Sequence, residues 1–318
     1  MFRFIQSRLI VQFMTLFAVV AWAAYMLVTS TIMVQPPFQL NFWRCMLPLQ
    51  QSYAAMCILL VLFLLLQTLL TDIYFFRGGF GDSHHLMVAL WYLLLLCCGG
   101  FVSEFSPVCL SNLVLAMMIT LNFDYDRGNL KNKDLVSGML TGIASLFYPP
   151  MVFVAFFVIA SLVINRFSKY KDIVVYLLGI LTVYLYVFCY FFFSDSLPEL
   201  TAMLSGLRFY NTFAVTTVYS WREIVLLSAA VLSLLYAVFI LKIHYGNKPL
   251  LLRKRLLTIH LITITTLLLM VFSPFDIHQA MGFMLIPFTL YYAMLSQMKE
   301  HPVVNDVMML IFAVALCL

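Results

Sequence analysis

The chain has 318 residues, of which 64% are apolar and 10% charged, and its net charge is +5. Soluble domains run at about 45–50% apolar and about 25% charged, because a folded surface in water needs polar cover. The composition therefore excludes a soluble globule, and with it collagen-like, disordered and disulfide-framework chains. It predicts an all-α protein, a polytopic transmembrane helix bundle forming a single domain over 1–318. A nucleic-acid binder is excluded too, since +5 spread over short loops makes no basic footprint.

In chain order, Arg3 and Arg8 precede an apolar run from Leu9 to Val34. Ala21-Trp22-Ala23 resembles a signal-peptidase site, but the run continues well past it, so a retained first span is expected. A helix needs about 20 apolar residues to cross the hydrocarbon core. Spans are predicted near 10–33, 52–71, 85–102, 105–121, 173–193, 223–241, 256–272, 278–295 and 303–318. The stretch 135–164 holds Phe147-Tyr148-Pro149-Pro150 at its centre. Adjacent prolines remove two backbone donors and break a helix, so one tilted span and a hairpin of two short helices are the alternatives.

Charge decides between them. Cytoplasmic loops collect Lys and Arg. With the N-terminus inside and a hairpin at 135–164, 15 of the 18 Lys and Arg lie inside, leaving only Arg44, Arg208 and Arg222 outside. A single crossing there turns the split into 8 to 10. The hairpin is expected, giving about eleven crossings in an inner membrane with a cytoplasmic N-terminus.

The longest outer loop is 194–222. Ser196-Leu197-Pro198-Glu199 reads as a capping box, and Leu200, Met203, Leu204 and Leu207 then recur at helical spacing. An interfacial helix is expected there, followed by aromatic residues at the headgroup level.

The polar inventory is short. The cysteines form no C-x-x-C pair, and the histidines have no metal-ligand spacing. Neither a metal nor another cofactor is expected. Asp82-Ser83-His84-His85 reads as a helix start, and Gly78-Gly79-Phe80-Gly81 as a turn without the strand of a phosphate loop. The span residues Gln67, Thr68, Ser111 and Asn112 can bond to their own helix or to a neighbour. Among outer groups, Glu104 and Asp276 could serve as general base, and Arg44, Arg208 and His278 could hold a phosphate. Ordinary solvated loop residues are the alternative.

Two segments carry a resemblance. Gly138-Met139-Leu140-Thr141-Gly142-Ile143-Ala144-Ser145-Leu146-Phe147-Tyr148-Pro149-Pro150 is followed by an apolar span ending at Asn165-Arg166. His278-Gln279-Ala280-Met281-Gly282-Phe283-Met284-Leu285-Ile286-Pro287 is followed by Tyr291 and Tyr292. Together they resemble the GT-C membrane glycosyltransferases, which take a sugar from a polyprenyl-phosphate donor. Over most of its length the chain is also similar to an uncharacterised bacterial multi-pass envelope family that shares the G-x-A-S-L-F-Y-P-P signature. The GT-C resemblance implies that His278 contacts the donor phosphate. GT-C enzymes carry an acid in the first outer loop, and residues 34–51 have none, with Glu104 the nearest substitute. The resemblance thus implies either a glycosyltransferase working without that acid or a non-catalytic relative. Membrane lipid, a polyprenyl-phosphate sugar and membrane-protein partners follow as the candidate partners. An alternative is a scaffold subunit of an envelope assembly complex, and a transporter or flippase is the third reading. Gly138 and Gly142 also form a small-residue face that packs helices in any membrane bundle.

Overall fold

A computed structural model describes residues 53–80, 88–89, 91–92, 95, 107–123, 131–165, 170–198, 200–201, 221–272 and 280–298. Among these the protein is helical, with no strand. Eight α-helices are defined there: α1 (Tyr53–Arg77), α2 (Pro107–Phe123), α3 (Lys131–Phe147), α4 (Phe153–Asn165), α5 (Tyr170–Phe193), α6 (Trp221–Gly246), α7 (Leu250–Val271) and α8 (Leu285–Gln297). Val88, Ala89, Trp91, Tyr92 and Leu95 are also helical. Among the described residues, four stretches are long and apolar enough to cross a membrane: Ile58–Phe75, Tyr170–Phe193, Ser228–Gly246 and Leu250–Val271. The predicted spans at 10–33 and 303–318 lie outside the described residues.

The break at the prolines is a 3-10 turn, Pro149–Val152, between α3 and α4. Its consequence is read from α3 and α5. A Cβ added at Gly138 would stand 2.1 Å from the Tyr176 carbonyl oxygen, and one added at Gly142 would stand 2.9 Å from the Val183 Cβ. Positions therefore rise together, so α3 and α5 run parallel. Parallel neighbours in one chain need a return stroke between them. The 13 residues of α4 supply it, covering about 20 Å at the α-helical rise.

Close approach of α3 and α5 depends on glycine. A Cβ at Gly179 would lie 2.4 Å from the Leu135 carbonyl oxygen, so neither backbone tolerates a side chain. Hydroxyl pairs then fasten the seam, with Thr141 Oγ1 and Tyr176 Oη 2.8 Å apart and Ser145 Oγ and Tyr184 Oη 2.8 Å apart. The other faces of α5 are apolar and exposed, including Leu181, Leu185, Tyr186 and Phe188. That is how a lipid-facing helix reads, because lipid tails are as apolar as its side chains.

α5 ends in a Schellman motif. The Ser196 amide donates to the Phe191 carbonyl at 3.0 Å and the Asp195 amide to the Phe192 carbonyl at 3.3 Å. Asp195 takes the left-handed conformation, φ 53°, that this cap requires. A new helical turn opens just after Ser196, whose carbonyl accepts from the Leu200 amide at 3.4 Å. The rest of the predicted interfacial helix lies outside the described residues.

The core is built around α8. Every residue from Ala280 to Leu295 is buried. Such a helix has to be apolar on all sides. Pro287 falls in its first turn, where the missing amide costs no intrahelical bond. The pairs His260–Tyr291 and Thr266–Met284 show α7 and α8 antiparallel.

The bundle has two unlike ends. Arg255 Nη1 donates to the Gly78 carbonyl at 2.7 Å, joining the start of α7 to the end of α1. Phe80 meets Tyr245 edge-on at 5.9 Å, joining the ends of α1 and α6. Tyr148 stacks on Phe283 at 5.3 Å, setting the end of α3 against the turn that opens α8. These ties put Arg77, Lys131, Lys133, Lys171, Lys242, Lys248, Arg253, Lys254 and Arg255 at one end, the basic end. Of the Lys and Arg among the described residues, Arg222 alone belongs to the opposite end.

Candidate functional site

Arg44, Glu104, Arg208, Asp276 and His278 lie outside the described residues. What the structure gives is the elements to which Glu104, His278 and Asp276 attach. Glu104 precedes α2 by three residues, His278 precedes the helical Ala280 by two, and Asp276 follows Phe272 by four.

Those elements meet at the end opposite the basic one. Asn112, in the second turn of α2, donates from Nδ2 to the Gly282 carbonyl at 2.7 Å. Gly282 opens the short 3-10 turn Gly282–Met284 ahead of α8, and its carbonyl, which also accepts from the Leu285 amide, takes the Asn112 amide on its second lone pair. Phe153 at the start of α4 stacks on Phe272 at the end of α7, with ring centroids 5.1 Å apart. With the Tyr148–Phe283 stack, these contacts gather α2, the proline turn, α7 and α8 into one cluster. Asn112 Oδ1 is buried with no hydrogen-bond partner among the described residues.

A second polar knot lies beside it. Gln67 on α1 donates from Nε2 to the Cys109 carbonyl at 2.7 Å and accepts from the Tyr92 hydroxyl at 2.5 Å. Both ends of the amide are satisfied, as a fully buried amide requires. Thr68 donates to the Leu64 carbonyl of its own helix at 2.8 Å. Cys109 is a free, buried thiol whose sulfur also accepts from Gln67 Nε2 at 3.7 Å. No metal-holding group of His, Cys, Asp and Glu exists among the described residues. Asp82, His84 and His85 lie outside them, and Gly79, at φ +67°, is the turn glycine expected before that segment.

Sequence reasoning overlooked one constellation. His260, on α7, has Nδ1 2.6 Å from the Tyr291 hydroxyl of α8. Thr263 shares its hydroxyl proton between the Ile259 carbonyl at 2.9 Å and Tyr291 Oη at 3.1 Å. The rings of His260 and Tyr291 stack at 26°. The Tyr291 hydroxyl thus bridges Thr263 and His260, with Nδ1 donating or accepting according to the ring's tautomer. The signal was an ionisable residue inside an apolar span, which marks function more often than packing.

Compared with protein-family models, characterised proteins and solved structures, the chain matches none.

Proposed function

We propose that this chain is an integral protein of the bacterial inner membrane, GT-C-like in organisation, that acts on or near polyprenyl-phosphate-linked sugars in envelope glycan or glycoprotein assembly. The observation that carries this reading is the Asn112–Gly282 bond. It ties together the two elements from which Glu104 and His278 depart, and the Phe153–Phe272 stack brings in the departure point of Asp276. In this reading Arg44, Arg208 and His278 hold the lipid phosphate by charge-assisted hydrogen bonds. Glu104 or Asp276 takes the proton of an acceptor hydroxyl as its oxygen attacks the anomeric carbon and the lipid phosphate leaves. The chain makes about eleven crossings with its N-terminus cytoplasmic. Supporting this orientation, Lys and Arg of the described residues crowd one end, as cytoplasmic ends do.

The test is binding and transfer with purified protein and labelled polyprenyl-phosphate sugars, comparing wild type with His278→Ala, Glu104→Ala and Arg44→Ala. Failure of the wild type to bind any such lipid rejects the reading.

A second reading, a non-catalytic membrane subunit of an envelope assembly complex, has its own support. The interior amide of Gln67 spends its hydrogen bonds on neighbouring helices, as structural glue does. Binding without transfer, with the protein co-purifying in a complex, selects it.

A further inference from the structure

The basic end carries a feature that the outer-face reading does not use. On α6, Leu235, Phe239 and Lys242 recur at i, i+4 and i+7 and so share one face. On α7, Arg253, Leu257 and His260 do the same. The two helices are joined by only Asn247-Lys248-Pro249 and run antiparallel, so the two stripes lie at matching depths. Leu235 is 60% exposed, Phe239 64% and Leu257 48%, so the apolar part of each stripe is open to lipid. Lys242 and Arg253 are exposed and His260 half-buried. Lys242 lies within electrostatic reach of His260. Neither Lys242 nor Arg253 has an acidic partner among the described residues.

We propose that Lys242 and Arg253, with the apolar stripe of Leu235, Phe239 and Leu257, form a binding site for an anionic phospholipid of the leaflet at the basic end. Cations at the membrane boundary attract a phosphate, and open apolar stripes at greater depth accept acyl chains. Lys242 and Arg253 hold the phosphate. His260 lies seven residues beyond Arg253, about 10 Å further into the bilayer, deeper than Leu257 and level with the acyl-chain stripe, where its ring is held against Tyr291 and takes no part in gripping the headgroup. A zwitterionic lipid offers the same chains with no net charge, so the site discriminates by headgroup. Free phosphate lacks the chains and is bound weakly.

The experiment is native mass spectrometry of the full chain in neutral detergent, titrated with phosphatidylglycerol or phosphatidylcholine. Wild type should retain phosphatidylglycerol in preference. Lys242→Ala and Arg253→Ala should each weaken it about fivefold, the value of one cation near a membrane surface. The double variant should lose the preference, while Arg253→Lys and Lys248→Ala keep it. Thermal midpoints of the variants in the same detergent, unchanged from wild type, exclude unfolding as the cause. Equal retention of the two lipids by wild type overturns the proposal, as does undiminished preference in the double variant. Displacement of phosphatidylglycerol by inorganic phosphate overturns the lipid assignment.

Discussion

Asn112 and Gly282, separated by 170 positions in the chain, are joined by a 2.7 Å hydrogen bond from side-chain amide to backbone carbonyl. Asn112 is fully buried, so its amide has no water to turn to. Replacing it by Leu removes this donor and leaves the Gly282 carbonyl with the Leu285 amide, so the tie between the two helices is lost. Asn112→Leu should cost about 1–2 kcal/mol, read as a lower unfolding midpoint in detergent. If the outer-end reading holds, sugar-lipid binding falls with it, because the mouth of α2 is no longer tied to α8.

The glycine seam makes a sharper prediction. Gly138→Ala and Gly179→Ala each drive a methyl group into a backbone carbonyl on the facing helix. Backbone cannot swing aside as a flexible side chain can. Each variant should lose about 1–3 kcal/mol. Gly246→Ala is the control, since a Cβ there meets nothing within 4 Å. Its unfolding midpoint should stay level with wild type.

The Gln67 knot predicts coupling. Tyr92 donates to Gln67 Oε1, while Gln67 keeps a separate bond to the Cys109 carbonyl, so the cycle isolates the first bond. A double-mutant cycle of Gln67→Leu and Tyr92→Phe should give a coupling energy near about 0.6 kcal/mol, with about 1.7 kcal/mol as the upper range for membrane-buried pairs. Additive effects would mean that the bond contributes nothing.

Tyr291→Phe keeps the ring that stacks on His260 and removes the hydroxyl that joins His260 to Thr263. It should lower stability by about 1 kcal/mol. Thermal unfolding in detergent reads the loss.

Much of the helical frame was legible in sequence. The span expected at 173–193 is α5, and the one expected at 223–241 is the middle of α6. Hydropathy sees such helices because the bilayer demands one continuous apolar run. Pro149-Pro150 announced a break, and Gly138 with Gly142 announced a close-packed face. Their partner Gly179 gave no sign, since a lone glycine in an apolar helix has no spacing to read. The polar span residues Gln67 and Asn112 were expected to bond to their own helix or a neighbour, and they found neighbours. Which neighbours depended on tertiary packing, which periodicity does not encode. His260 was seen only as failing to fit a metal motif. Its pairing with Tyr291 joins residues 31 apart on two helices, and no local pattern carries that. The five outer candidates lie outside the described residues, and the elements that meet adjoin Glu104, Asp276 and His278, not Arg44 or Arg208.

One measurement addresses the central claim most directly. Purified wild-type protein in nanodiscs would be incubated with a radiolabelled polyprenyl-phosphate sugar, and bound label counted after washing, alongside His278→Ala, Glu104→Ala and Arg44→Ala. The account predicts saturable binding by wild type. It predicts loss on removing His278 or Arg44, which hold the phosphate, and retained binding without transfer in Glu104→Ala if Glu104 is the base. Absence of wild-type binding to any polyprenyl-phosphate sugar, or binding indifferent to both His278 and Arg44, would contradict it.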